Sequence, residues 1–239
     1  MSEQSPHHTP EIPKTREIAG PKAVYVWDLP TRLFHWALVA AVATSLISVE
    51  LGNMSIHLIS GHVVLALLIF RLVWGLVGGR HARFASFVQG PIKVINYARG
   101  VISGNAPAHP GHNPMGGWSV IAMVLVLAVQ AVSGLFANDD ILTEGPLAST
   151  ITKSTSDFLT YIHHLTSNAV YALVVLHLAA VTFYTVKGHR IIMAMITGKS
   201  TDVTVDQTES GEDSAHGSLI LGLVIFAVAG GIAYAIMNY

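Results

Sequence analysis

Apolar residues gather in five long blocks, near 33–51, 57–77, 117–137, 160–185 and 217–237, with polar or glycine- and proline-bearing stretches between them. Each block approaches the roughly 20 apolar residues that a helix needs to cross hydrocarbon. A chain in lipid must satisfy its own backbone polar groups, so such blocks read as helices. The pattern predicts an all-α integral membrane protein, with four spans in a domain over 24–198 and a fifth, C-terminal transmembrane helix within 217–239. Residues 1–23 are polar and carry Pro6, Pro10, Pro13 and Pro21. Lacking an apolar core, they read as a flexible arm and not as a cleaved signal peptide. Residues 199–216 carry Asp202, Asp206, Glu209, Glu212 and Asp213 and read as an acidic linker.

Composition agrees. Apolar residues make up 51% of the chain and charged residues 11%, against about 25% charged in soluble domains. A net charge of −1 and the lack of a basic stripe leave no case for nucleic acid as a partner. The chain has no cysteine, which excludes iron–sulfur clusters, disulfides and covalent haem attachment. Any haem must be held by coordination and packing, as haem b is. Of the 13 lysines and arginines, all but Lys153 fall in the arm, the start of the first span, the end of the second, the loop after it and the segment after the fourth. Positive residues face the cytoplasm. The expected orientation in a bacterial inner membrane therefore puts the N-terminus in the cytoplasm and the C-terminus in the periplasm.

Two connecting segments carry further patterns. In the inner loop, Phe84, Phe87, Val88, Ile92, Ile95, Tyr97, Val101 and Ile102 recur roughly as one helix face, interleaved with Arg83, Lys93 and Arg99. This predicts a basic amphipathic helix near 84–102, bent at Pro91 and lying on the anionic leaflet; a docking site for a soluble partner is the other reading. The outer loop carries Asp139, Asp140 and Glu144. These acids either face a basic partner such as a c-type cytochrome or simply solvate the loop.

Ionisable residues inside a membrane are rare and usually functional, which directs attention to histidine. His163 and His177 are 14 residues apart in the fourth span. At 100° per residue they share a helix face, about 21 Å apart. His164 is 13 residues from His177 and points about 140° away from that face. In the second span His57 lies level with His163, whereas His62 is about 7.5 Å deeper and rotated by about 140°. His35, near the inner end of the first span, is level with His177. Two pairs result, His57 with His163 and His35 with His177. Neutral imidazole is the common axial ligand of haem iron, so each pair would suit one metal centre. Arg71, 14 residues after His57, is placed either to bind a haem propionate or to anchor the span among headgroups. Gly61 and Gly134 would admit a porphyrin edge or a neighbouring helix. His112, in the run Gly111-His112-Asn113-Pro114, could relay protons at the inner surface.

These residues carry a resemblance. The Arg-x-x-His-Trp run ending at Trp36, His57-x-x-x-Gly61 followed by Arg71, and His163 with Tyr171 and His177 resemble the prokaryotic cytochrome b561 family and the related b-type cytochrome subunits of nickel–iron hydrogenases. The likeness covers about residues 24–198. It implies a four-helix diheme bundle with two haems b on His35, His57, His163 and His177. It also implies electron transfer between membrane quinone and a partner, either a c-type cytochrome or a dehydrogenase or hydrogenase subunit. Such a chain would serve as a conduit, as a subunit anchoring a hydrogenase or dehydrogenase, or as a superoxide:quinone oxidoreductase. The acidic outer loop disfavours the last, because an anionic substrate needs a positive funnel. A haem or metal transporter is the non-redox alternative and predicts labile cofactor.

Overall fold

The computed structural model describes residues 24–107, 109, 111–200 and 217–239. The expected arm and all but the first two residues of the acidic linker lie outside the described residues. In chain order the elements are β1 (Val24–Tyr25), α1 (Leu29–Glu50), α2 (Met54–Val77), α3 (Phe84–Phe87), α4 (Pro91–Ser103), α5 (Pro114–Gly134), a 3-10 turn (Ala148–Thr150), α6 (Lys153–Val186), α7 (Ile191–Thr197), β2 (Lys199–Ser200) and α8 (Leu219–Met237). Five helices, α1, α2, α5, α6 and α8, are long and apolar enough to cross a membrane. The protein is an all-α membrane protein.

Four of the five spans start earlier than their apolar blocks, because polar residues set the starts. Asp28, Asn53, Asn113, Thr152 and Ser218 each cap a span by accepting a backbone N–H three residues on. Pro30 and Pro114 sit in first turns, where their missing N–H is not needed. The cap at Thr152 starts α6 seven residues before the apolar block. Its 34 residues span about 51 Å, well beyond a hydrocarbon core of about 30 Å. The surplus carries the loop before it: Asn138 binds Ser156 and Thr160, and Ser156 Oγ donates to the Phe136 carbonyl at 2.6 Å.

The first four spans pack in series, α1 on α2, α2 on α5 and α5 on α6. α2 is the most enclosed span. Its Val64, Leu67, Leu68, Phe70 and Trp74 meet Phe34 and Ala41 of α1 and Val124 of α5. The fifth span, α8, leans on the outside of α2. There Phe226 stacks on Phe70 with ring centres 3.6 Å apart, and Gly222 lies against Pro30 and Trp74.

The arginine-rich end is tied together by a residue that periodicity does not flag. Asp28 is buried. Besides capping α1 it accepts from Trp74 Nε1 at 3.4 Å and Gly79 N at 3.2 Å, which fixes the start of α1 to the end of α2. Nearby, the Gly198 carbonyl accepts from Val26 and Trp27, and β1 pairs antiparallel with β2. The short helix α7 was not expected; its signal was the apolar run Ile191–Ile196.

The inner-loop helix differs from expectation. It is not one bent helix over 84–102 but two, α3 and α4, separated at 88–90. Gly90 is extended, as a residue before proline must be, and Pro91 opens a new helix. Nor do the apolar positions share one face. Phe87 and Tyr97 are buried against the bundle, whereas Ile92, Ile95 and Ile102 remain exposed on the other side of α4. That exposed stripe, flanked by Lys93 and Arg99, keeps the lipid-facing reading of α4 open.

Candidate functional site

α6 brings two of its three histidines to two different partners. The His163 ring lies 6.1 Å from that of His57 on α2, nearly perpendicular at 86°. The His177 ring lies 6.4 Å from that of His35 on α1, at 53°. A metal–imidazole bond of about 2 Å, with about 1.1 Å from nitrogen to ring centre, puts two opposed ligands about 6 Å apart, centre to centre. Both separations therefore fit an iron held between the rings.

The hydrogen bonds of the first pair fit the same role. His57 Nδ1 donates to the Ser45 carbonyl at 3.0 Å, and His163 Nδ1 donates to the Gln130 carbonyl at 2.9 Å. A metal-ligating histidine commonly donates its other ring N–H in this way. Both bonds leave Nε2 as the unprotonated nitrogen. The Gln130 side-chain amide rests on His163 Nε2 at 3.1 Å, while its oxygen accepts from Thr166. Neither Ser45 nor Gln130 was singled out from the sequence, although Gln130 is the only side-chain amide in the third apolar block. In the second pair, His35 buries Nδ1 without a hydrogen-bond partner among the described residues. Buried polar atoms are rarely left so; His62 Nε2 and His112 Nδ1 share the condition, so it does not by itself mark a ligand.

Two glycines shape the space. A Cβ on Gly134 would lie 2.9 Å from His163 Cε1, so this position serves the close approach of the neighbouring helix α6, through its imidazole, to α5. A Cβ on Gly61, one turn from His57 on nearly the same face, would meet nothing within 4 Å. The open space there suits the edge of a flat macrocycle.

The other histidines fall elsewhere. His62 is buried and donates from Nδ1 to the Leu58 carbonyl one turn back, at 2.7 Å. His164 is exposed. Arg71 is not an exposed headgroup anchor. It is buried, donates to the Ala82 carbonyl at 2.8 Å and lies 4.6 Å from the centre of the Phe84 ring. His112 packs edge-on against Trp27 at 4.6 Å and beside Phe87. Burial, and then the nearby Arg71 guanidinium, push it down to about 3.

The acidic loop is largely occupied by its own contacts. The Asp139 carboxylate accepts from the amides of Ile141, Leu142 and Thr143. Lys153 pairs with Asp140 at 2.5 Å and also with Asp157. Glu144 bridges Asn138 through its backbone, leaving it as the one of the three expected docking acids whose carboxylate has no such contact among the described residues.

Searches of curated proteins and of solved structures gave no match. The family profile described as prokaryotic cytochrome b561 matches residues 26–198, the stretch that holds both histidine pairs. The chain belongs to the prokaryotic cytochrome b561 family and is a membrane-bound b-type cytochrome of electron transfer.

Proposed function

We propose that this chain holds two haems b, one between His57 and His163 and one between His35 and His177, and carries electrons between membrane quinone and a redox protein. The observation that carries the reading is the pair of ring separations, 6.1 and 6.4 Å, both set by one helix. Haem supplies a one-electron couple at each site. Two imidazoles held to each iron would leave no open position, which would favour electron transfer over oxygen chemistry. Ser45 and Gln130 orient the rings of the first pair through their carbonyls. Ligation through His163 Nε2 requires the Gln130 amide to turn aside, with Thr166 still bound to its oxygen. Arg71 and the second pair both lie close enough to His112 to act on it electrostatically, so a propionate in that region would find a charge-assisted donor in Arg71.

The basic end is assigned to the cytoplasm by its lysines and arginines. The partner is a c-type cytochrome or a hydrogenase or dehydrogenase subunit. Because the acids of the outer loop are mostly spent on internal bonds, the loop gives little support to a docking site made of negative charge. An anaerobic redox titration of purified protein tests the reading. It should give two low-spin one-electron steps, both reducible by quinol. A single step, or failure of quinol to reduce the protein, would overturn it.

A further inference from the structure

Beside the His57–His163 pair is a groove with a chemical feature that haem binding does not use. It measures about 220 Å³ and is lined by Leu46, Ile47, Glu50, Leu51 and Tyr171. Three residues come from the end of α1, Leu51 caps that helix, and Tyr171 comes from the middle of α6, so the groove opens between those helices. Its first wall residue, Leu46, follows directly on Ser45, whose carbonyl holds His57 at 3.0 Å. At the rim the Tyr171 hydroxyl donates to Glu50 Oε1 at 2.9 Å. Glu50 is the last residue of α1, so this carboxylate and phenol stand exposed on the flank of the bundle where the span ends.

The geometry points to a site for the head of a quinol, with Glu50 as proton acceptor and Tyr171 as the residue that positions it. This rests on the quinone reading above and adds a location and a base. The chemistry selects the ligand: an apolar wall for a ring that arrives through lipid, with hydrogen-bonding groups at one edge. A carboxylate has room for more than one donor, so a quinol hydroxyl can bind beside the phenol. On oxidation, both O–H bonds of the quinol break. Its two electrons would be taken up singly by the haem couples that the His57–His163 and His35–His177 pairs would hold. Its two protons leave in turn through the Glu50 carboxylate to water, and quinone is released with Glu50 again ionised.

The test uses haem-loaded, full-length protein in lipid nanodiscs, with a ubiquinol bearing a ten-carbon tail as reductant. Haem reduction is followed by stopped flow. Glu50→Gln should slow reduction by quinol about 100-fold, in the range of a lost general base. Tyr171→Phe should slow it less, and Leu46→Trp should raise the quinol concentration needed for half-maximal rate. Dithionite should reduce all three at the wild-type rate and give wild-type spectra, which a merely structural role for the Glu50–Tyr171 tie would not allow alongside the quinol defect. A photoreactive quinone should label the segment 46–51 or Tyr171. If wild type is reduced by quinol while Glu50→Gln and Leu46→Trp behave as wild type, or if label falls elsewhere, the groove assignment is overturned alone. If quinol fails to reduce wild type, the quinone reading falls with it.

Discussion

Replacing Gly134 with alanine tests the first histidine pair through a single methyl group. The added Cβ would lie 2.9 Å from His163 Cε1 and 3.1 Å from Nδ1. Carbon atoms in contact prefer about 3.5–4.0 Å, so the ring must retreat by about 0.6 Å or more. The bond from Nδ1 to the Gln130 carbonyl, now 2.9 Å, would stretch to about 3.5 Å and cease to orient the ring. Loss of such a supporting contact typically weakens metal affinity 10–100-fold, or about 1.4–2.7 kcal/mol. Gly134→Ala should therefore lose haem from the His57–His163 site first, while the His35–His177 haem keeps its spectrum and potential. Graded haem titration of the apoprotein, read by visible spectroscopy, measures this. An opposing effect sharpens the test. Alanine in a helix is favoured over glycine by up to about 1 kcal/mol, so a protein unaffected at its imidazole would gain heat stability. A variant with two full low-spin haems and a raised melting temperature would refute the reasoning.

Three further outcomes follow from the same contacts. Asp28→Ala removes a cap and leaves Trp74 Nε1 and Gly79 N unpaired; it should lower stability by about 2 kcal/mol or more, with Asp28→Asn losing less, in thermal melts of detergent-solubilised protein. The amides of Thr143 and Ile141 hold the Asp139 carboxyl down at about 2, below the ordinary carboxylate range, so its contribution to loop order is complete above about pH 4 and is lost as pH falls through about 2; hydrogen exchange at residues 141–143 should stay protected at pH 4 and approach that of Asp139→Ala only below about pH 2, and early loss at pH 4 would contradict it. A reporter fused to the C-terminus should be active in the periplasm and one fused after Arg99 in the cytoplasm; the reverse pattern would overturn the assigned orientation.

Much of the pairing of rings in the candidate site was legible because helix geometry is so regular. One arithmetic step, 100° and 1.5 Å per residue, separates His163 from His164 and His57 from His62. The folded chain brings the four chosen rings together in two pairs. What periodicity could not supply were contacts between side chains and distant backbone. The Ser45 and Gln130 carbonyls that orient His57 and His163 carry no sequence signal, since every residue has a carbonyl. Asp28 reads locally as a helix cap, but its bonds to Trp74 and Gly79 exist only once α1 and α2 pack. Arg71 was left open between two roles because charge counts do not register burial; the Phe84 ring and the Ala82 carbonyl enclose it. The amphipathic pattern over 84–102 merged two faces into one, because Gly90-Pro91 restarts the helix and resets its phase. In the outer loop the acids looked free because local Asx-type hydrogen bonds and the pairing with Lys153 depend on a turn whose shape, including the positive φ of Asp140, composition does not reveal.

The pairing of ligands is the central claim, and haem quantification on single histidine variants tests it most directly. Wild-type protein should hold two haems b per chain. His57→Ala and His163→Ala should each lose, or convert to high spin, one and the same haem. His35→Ala and His177→Ala should each affect the other. His62→Ala and His164→Ala should keep both low-spin spectra. One haem per chain in wild type, or two members of a supposed pair that affect different haems, would contradict the account.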